Sequence, residues 1–120
     1  LYAHATALVV ANFCDGFGLP SIDAMLVGLP VLLSDIPVYH EINGEAAGYF
    51  DPLDLDSIAA TLLRATTDPA WMAELAQRGY QQAARYSWRQ TAEQTEAIFQ
   101  QVLADPRRAK RIPRSQLVAG

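Results

Sequence analysis

An α/β fold, a parallel sheet followed by three helices, is what this sequence predicts, on three observations. Short apolar runs alternate with helix-length segments between residues 7 and 50. A glycine-rich turn joins the first apolar run to the segment after it. From Leu55 onward, apolar residues recur at helical spacing through three successive stretches.

Residues 1–4 read as the tail of a helix, and residues 7–11, Ala-Leu-Val-Val-Ala, as a strand. Asn12, Phe13 and Cys14 then lead into Asp15-Gly16-Phe17-Gly18-Leu19-Pro20-Ser21-Ile22-Asp23. Pro20 suits a first helical position, where its missing N–H is an orphan anyway, so a helix is predicted over residues 20–28. The N–H groups of Gly16, Phe17, Gly18 and Leu19 are expected to be unpaired and to converge at the positive end of that helix. They would form a pocket for a phosphate or a polyol oxygen.

Asp23 lies about one turn into the helix, and helical side chains tilt toward the N-terminus, so its carboxylate should lean back toward the pocket. Its neighbours Ile22, Ala24, Met25, Leu26 and Val27 are apolar and predict a helix packed on several sides. A carboxylate there costs several kcal/mol unless it finds a partner. Because it would repel a phosphate, a hydroxyl-bearing partner such as a ribose diol is the better match. The alternative is that Asp23 caps its own helix.

The second strand, residues 30–34, ends at Asp35-Ile36-Pro37, and strand ends are where ligands gather in open parallel sheets. Residues 38–44 read as one or two helical turns closed by Gly44, with Glu41 structural and His40 assigned no catalytic part. Residues 47–50 form a short last strand. The first of the three helices carries the stripe Leu55, Ile58, Ala59, Leu62 and Leu63 and ends near Asp68, which caps the next helix ahead of Pro69. That second helix shows Met72, Leu75, Ala76 and Gly79 on one face. Ser87 and Gln90 suggest a capping box for the third, whose stripe is Trp88, Ala92, Thr95, Phe99 and Val102. All three stripes are expected in the core. Domain boundaries follow as 1–104 and a basic tail, 105–120, that is solvated or touches an anionic membrane surface.

Charge narrows the partners. Nine basic residues stand against thirteen acids, and residues 1–63 hold eight of the acids with no Lys or Arg. Such a surface excludes a nucleic-acid backbone as ligand. The single cysteine, Cys14, excludes an internal disulfide, and no apolar run reaches the roughly 18 residues that span a bilayer. His4 has no partner at useful spacing and reads as a surface residue.

The ordered set Asp15-Gly-Phe-Gly-Leu-Pro-x-x-Asp23-Ala-Met-x-x-Gly28-x-Pro30-Val, followed by Ser34-Asp35-Ile36-Pro37-x-x-x-Glu41-Ile42, resembles the C-terminal domain of glycosyltransferase family 4, the group 1 glycosyltransferases. The resemblance runs through Asp51-Pro52 to about Ala104. It implies the second half of a Rossmann-like parallel-sheet domain of the GT-B type, in a hexosyltransferase of polysaccharide biosynthesis. It further implies transfer of a sugar from a nucleotide-sugar donor to a sugar or lipid-linked acceptor, with retention, without metal or other cofactor. The implied location is cytoplasmic, extending to the inner face of the membrane. That family carries a Glu-x7-Glu pair around this turn, and the spacing from Asp15 to Asp23 is the same. By resemblance, Asp15 is the catalytic acid that contacts the donor sugar. Gly16, Phe17, Gly18 and Leu19 bind the donor, and Asp23 holds its ribose hydroxyls. Each acid is one methylene shorter than the family's glutamate, a loss of reach of roughly 1.5 Å.

Two rival readings remain open. One is an NAD-binding fold, since Gly16-x-Gly18-x-x-Ser21 approaches the dinucleotide fingerprint and Asp35 ends the next strand. Pro20 inside the turn, serine at the third glycine position and the four residues from Asn12 to Asp15 count against it. The other is a non-catalytic sugar-nucleotide fold kept for interaction. The start at Leu1 suggests a piece of a longer protein. Alone it is expected not to catalyse transfer, because no cation in residues 1–63 meets a pyrophosphate. It is also expected to dimerise through an exposed sheet edge.

Overall fold

The structure, a computed structural model, describes residues 1–105. Leu1–Tyr86 form one compact unit and a second begins at Ser87. The first unit contains β1 (Leu8–Val10), α1 (Leu19–Leu26), β2 (Val31–Ser34), α2 (Pro37–Asn43), β3 (Gly48–Phe50), α3 (Leu55–Thr67) and α4 (Pro69–Ala83). Single 3-10 turns stand at Tyr2–His4 and Gly44–Ala46. The described part of the second unit is α5 (Trp88–Ala104). The expected α/β architecture is present.

The three strands pair in the order β1-β2-β3, all parallel, with Leu8 opposite Val31 and Leu32 opposite Gly48. β2 is central and all four of its residues are buried, the pattern of a parallel strand covered on both faces. Alternation along it divides the core in two. Val31 and Leu33 join Ile22, Met25, Tyr39 and Ile42 on the side of α1 and α2, while Leu32 joins Phe50 and Leu75 on the other. α4 supplies Ala83 to the first cluster and Leu75 to the second. Its Gly79 lets α1 approach closely, since a Cβ there would stand 2.9 Å from Met25 Cγ.

Helix boundaries follow their caps. α1 ends at Leu26, two residues before the expected end at Gly28. The Gly28 amide donates to the Met25 carbonyl at 3.0 Å and the Leu29 amide to Ala24 at 3.0 Å, a Schellman closure that places the glycine outside the helix. α2 begins at Pro37 and closes at Gly44. Asp54 caps α3 through the Asp56 amide, and Asp68 caps α4 by accepting from the Trp71 amide at 2.9 Å. That amide, and behind it the Arg64 side chain, hold the Asp68 carboxyl below the usual carboxylate range.

Two expected core stripes are corrected. On α3 the inward residues are Ile58, Thr61 and Ala65, while Leu55 is 81% exposed and Ala59, Leu62 and Leu63 also face outward. Ile58 and Ala65 pack against the Leu32, Phe50 and Leu75 cluster, and the Thr61 hydroxyl on the same side donates to the Tyr49 carbonyl of β3 at 3.4 Å. On α5 no residue is buried, and Trp88 is 75% exposed. Helical periodicity reports that a face is apolar; it does not report what lies against it. The Ser87 side chain makes no cap hydrogen bond, so the predicted capping box is absent. The stripe on α4 is as expected, with Met72, Leu75 and Gly79 buried. The basic tail lies outside the described residues, apart from Asp105.

Candidate functional site

The loop from β1 to α1 lies at the C-terminal edge of the parallel sheet. Gly18 is its hinge: it caps α1 at φ 83°, and a Cβ there would stand 2.9 Å from Tyr39 Cε1. Only glycine combines a left-handed backbone with that contact.

Asp15 holds the loop together. Its Oδ1 accepts from the Phe17 amide and from the Gly18 amide, each at 3.1 Å, and its Oδ2 accepts from the Tyr39 hydroxyl at 2.8 Å and from Asn12 Nδ2 at 3.4 Å. Asn12 Nδ2 also lies 3.3 Å from the Tyr39 hydroxyl oxygen. Two of the amides expected to be unpaired, those of Phe17 and Gly18, are therefore occupied by the chain's own carboxylate. The reason is local: an aspartate readily bonds the backbone two residues on. The Tyr39 hydroxyl, followed by the Phe17 amide, lowers the Asp15 carboxyl below its ordinary range. Burial and the Asp15 bond push the Tyr39 phenol up to about 12, so it remains a proton donor at neutral pH.

Tyr39 is itself fixed, being 1% exposed. Its carbonyl accepts from Asn43 Nδ2 at 3.2 Å and from the Tyr49 hydroxyl at 3.2 Å, and the latter also donates to Gly44 at 2.6 Å. Burial raises the Tyr49 phenol well above its usual value. The Ser21 hydroxyl, in the first turn of α1, stands 2.8 Å from both the Gly18 carbonyl and Asn43 Oδ1. One proton lies between two acceptors and ties α1 to α2. No buried side-chain nitrogen or oxygen among the described residues lacks a partner.

Asp23 is placed differently from expectation. α1 buries Ser21, Ile22, Ala24 and Met25, and leaves Asp23, Leu26 and Val27 exposed. One face is packed, not several, so the carboxylate stands in solvent without a burial cost. Phe17 and Leu19 are exposed at the loop, and the Phe17 ring meets Tyr86 edge-on at 5.8 Å. Tyr86 is anchored by its hydroxyl, which donates to the Ile42 carbonyl at 3.0 Å.

At the end of β2, Asp35 Oδ1 lies 2.7 Å from His40 Nε2, and the His40 ring stacks on Tyr49 at 4.0 Å between centroids. Glu41 and His4 are exposed. A groove of about 340 Å³ is lined by Glu45, Ala46, Arg78, Gln81, Gln82 and Arg85, none of them in the glycine loop. Among the described residues, no three His, Cys, Asp or Glu side chains stand together at metal-binding spacing. No described helix is long and apolar enough to cross a membrane.

Sequence reasoning missed Asn12, Tyr39, Ser21 and Asn43. A signal for two of them was available: Tyr39, Ile42 and Asn43 are spaced i, i+3, i+4 and form the buried face of α2. A tyrosine and an asparagine on a buried face each need a hydrogen-bond partner.

Comparison with known proteins bears on the same residues. The family described as "Glycosyl transferases group 1" matches residues 1–85. The O-antigen chain mannosyltransferase B of Escherichia coli is 39% identical over 95 residues, covering 79% of this chain and 25% of the relative. The MMP alpha-(1->4)-mannosyltransferase of Mycolicibacterium hassiacum is 31% identical over 108 residues, 87% of this chain and 26% of the relative. Among solved structures, the sucrose-phosphate synthase of Thermosynechococcus elongatus superposes with a TM-score of 0.77 at 29% identity, over 86% of this chain and 27% of that one. The chain thus spans about a quarter of the length of these relatives.

Proposed function

The chain belongs to the group 1 glycosyltransferases, with the α/β architecture of a GT-B C-terminal domain, and from that premise we propose that its glycine loop binds the sugar of a nucleotide-sugar donor. In this reading residues 1–104 are the donor-side domain of a hexosyltransferase that passes the sugar, with retention, to a sugar or lipid-linked acceptor. Mannose is the first sugar to test, because the similar proteins are named mannosyltransferases. Residues 105–120 contribute contact with an anionic membrane surface, and the outer edge of β1 is where two copies would pair.

One observation supports this above the others. Within a single strand-loop-helix unit, a held carboxylate at Asp15 and an open carboxylate at Asp23 stand on either side of the helix start. Both are acceptors suited to hydroxyl groups. A sugar and a ribose supply such hydroxyls, one to each acid, while Gly16, Phe17, Gly18 and Leu19 supply backbone close to the donor. The family match favours this over the dinucleotide reading.

Calorimetry of the full chain with GDP-mannose and UDP-glucose tests it. Asp23→Asn is expected to weaken binding by about 1–3 kcal/mol, roughly 5- to 150-fold, the scale of a hydrogen bond to a charged group. In an NMR titration the same ligands should shift amides of residues 16–23, and NAD should not. Unchanged affinity in Asp23→Asn removes that residue from the site, and an NAD response centred on Asp35 restores the dinucleotide reading.

A further inference from the structure

The acceptor positions of Asp15 are crowded. A carboxylate offers about four lone-pair positions, and four donors fill them: the Phe17 and Gly18 amides, the Tyr39 hydroxyl and the Asn12 amide. A sugar hydroxyl approaching this carboxylate competes with these four donors. The two backbone amides are fixed by the loop, Gly18 being buried under Tyr39. Tyr39 cannot withdraw, because its ring is buried and its carbonyl is held by both Asn43 and Tyr49. Asn12 is exposed, and its 3.4 Å contact is the longest of the set.

We propose that Tyr39 is the positioning residue that fixes the Asp15 carboxylate for a donor sugar, and that the Asn12 amide is the group a sugar hydroxyl replaces. This rests on the donor-binding reading above. The geometry adds a length relation between two side chains distant in sequence. The Tyr39 oxygen stands 2.8 Å from Asp15 Oδ2, so a carboxylate carried one methylene further along the same path would press against it. Aspartate at position 15 and tyrosine at position 39 are thus a matched pair: the phenol occupies the space that a longer acid would need. Asn12, bonded to both members, occupies the remaining acceptor position.

Tyr39→Phe removes one oxygen and keeps the ring against Gly18, so it separates the hydroxyl from packing. Two readouts on the full chain test the proposal. Carbon-13 NMR titration of the Asp15 carboxyl should show its midpoint rising in Tyr39→Phe, whether or not any donor binds. Calorimetry with GDP-mannose should show affinity falling about tenfold in Tyr39→Phe. Asp15→Glu alone should abolish binding, while Asp15→Glu combined with Tyr39→Phe should recover most of it. Asn12→Ala should bind GDP-mannose at least as well as the unaltered chain, because no displacement is then required.

An Asp15 midpoint that does not move in Tyr39→Phe overturns the proposal. So does full affinity in Asp15→Glu with Tyr39 in place, or loss of affinity in Asn12→Ala. If no nucleotide sugar binds the unaltered chain, it is the functional reading that falls. The carboxyl titration then decides the positioning role alone, a shifted midpoint upholding it and an unshifted one overturning it.

Discussion

Asp15 and Asp23 lie eight residues apart, on either side of one helix start, and the fold treats them in opposite ways. Asp15 is gripped by four donors from the loop and from α2. Asp23 stands on the outer face of α1, exposed, while its neighbours Ile22 and Ala24 are buried. The first region is held together by long-range contacts between residues 12–21 and 39–43, and the second by one helical face alone. Identical chemistry at a regular spacing therefore does not imply identical duty. A held acid defines a direction for a ligand, and an open acid provides charge and acceptors that a ligand must itself order.

The contrast is broken most severely at the hinge. Gly18→Ala places a side chain at φ 83°, which costs about 1–2 kcal/mol, and drives its Cβ against the buried Tyr39 ring, where overpacking costs about 1–3 kcal/mol more. A total loss of roughly 2–5 kcal/mol should appear as a lower urea midpoint with an unchanged slope. A mild effect there would mean that the loop is not clamped to α2.

Next in size is the tie between α1 and α2. Ser21→Ala leaves Asn43 Oδ1 buried without its donor, a loss of about 1–3 kcal/mol by thermal or urea unfolding. Ala at position 21 fits the helix well, so helix propensity works in the opposite direction and cannot explain a loss.

Acid pH separates the two carboxylates without altering packing. The Asp15 carboxyl is lowered chiefly by the Tyr39 hydroxyl, so on acidification the unfolded chain binds a proton before the folded chain does. The stabilisation is complete above the ordinary carboxylate range, near pH 4, and is lost as pH falls through the lowered folded value. Asp68, lowered by the Trp71 amide, acts in the same direction. Urea midpoints measured from neutral pH down to about pH 3 should therefore fall less steeply in Asp15→Asn than in the unaltered chain.

Legibility in the sequence followed the range of the interactions. Strand, turn and helix order through residue 50 could be read because each element depends on nearby residues: apolar runs for β1 and β2, Pro20 and Pro37 at helix starts, Asp68 as a cap. The glycine loop was legible for the same reason. Its occupancy was not, since Tyr39 reaches Asp15 across 24 residues and Ser21 reaches Asn43 across 22. The stripes on α3 and α5 show the opposite limit. Their period is helical, but the inward side of α3 is the one on which Thr61 meets β3, a partner that no period encodes.

The smallest expected effect sharpens the comparison furthest. Asp23 is exposed, and no hydrogen bond or ion pair from the described residues reaches it. Asp23→Asn should change unfolding stability by no more than about 0.5 kcal/mol, the range of an exposed substitution away from caps and networks. The same substitution is expected to weaken nucleotide-sugar binding five-fold or more, on the scale of about 1 kcal/mol or above for a lost charged hydrogen bond. Asp15→Asn should change both quantities, because that carboxylate holds the loop as well as facing the donor. Measuring midpoint and affinity for the two variants side by side thus separates a residue that serves only the ligand from one that also serves the fold. If Asp23→Asn destabilised the chain as much as Asp15→Asn, the open acid would be a structural one. The difference between the two halves of this site would then disappear.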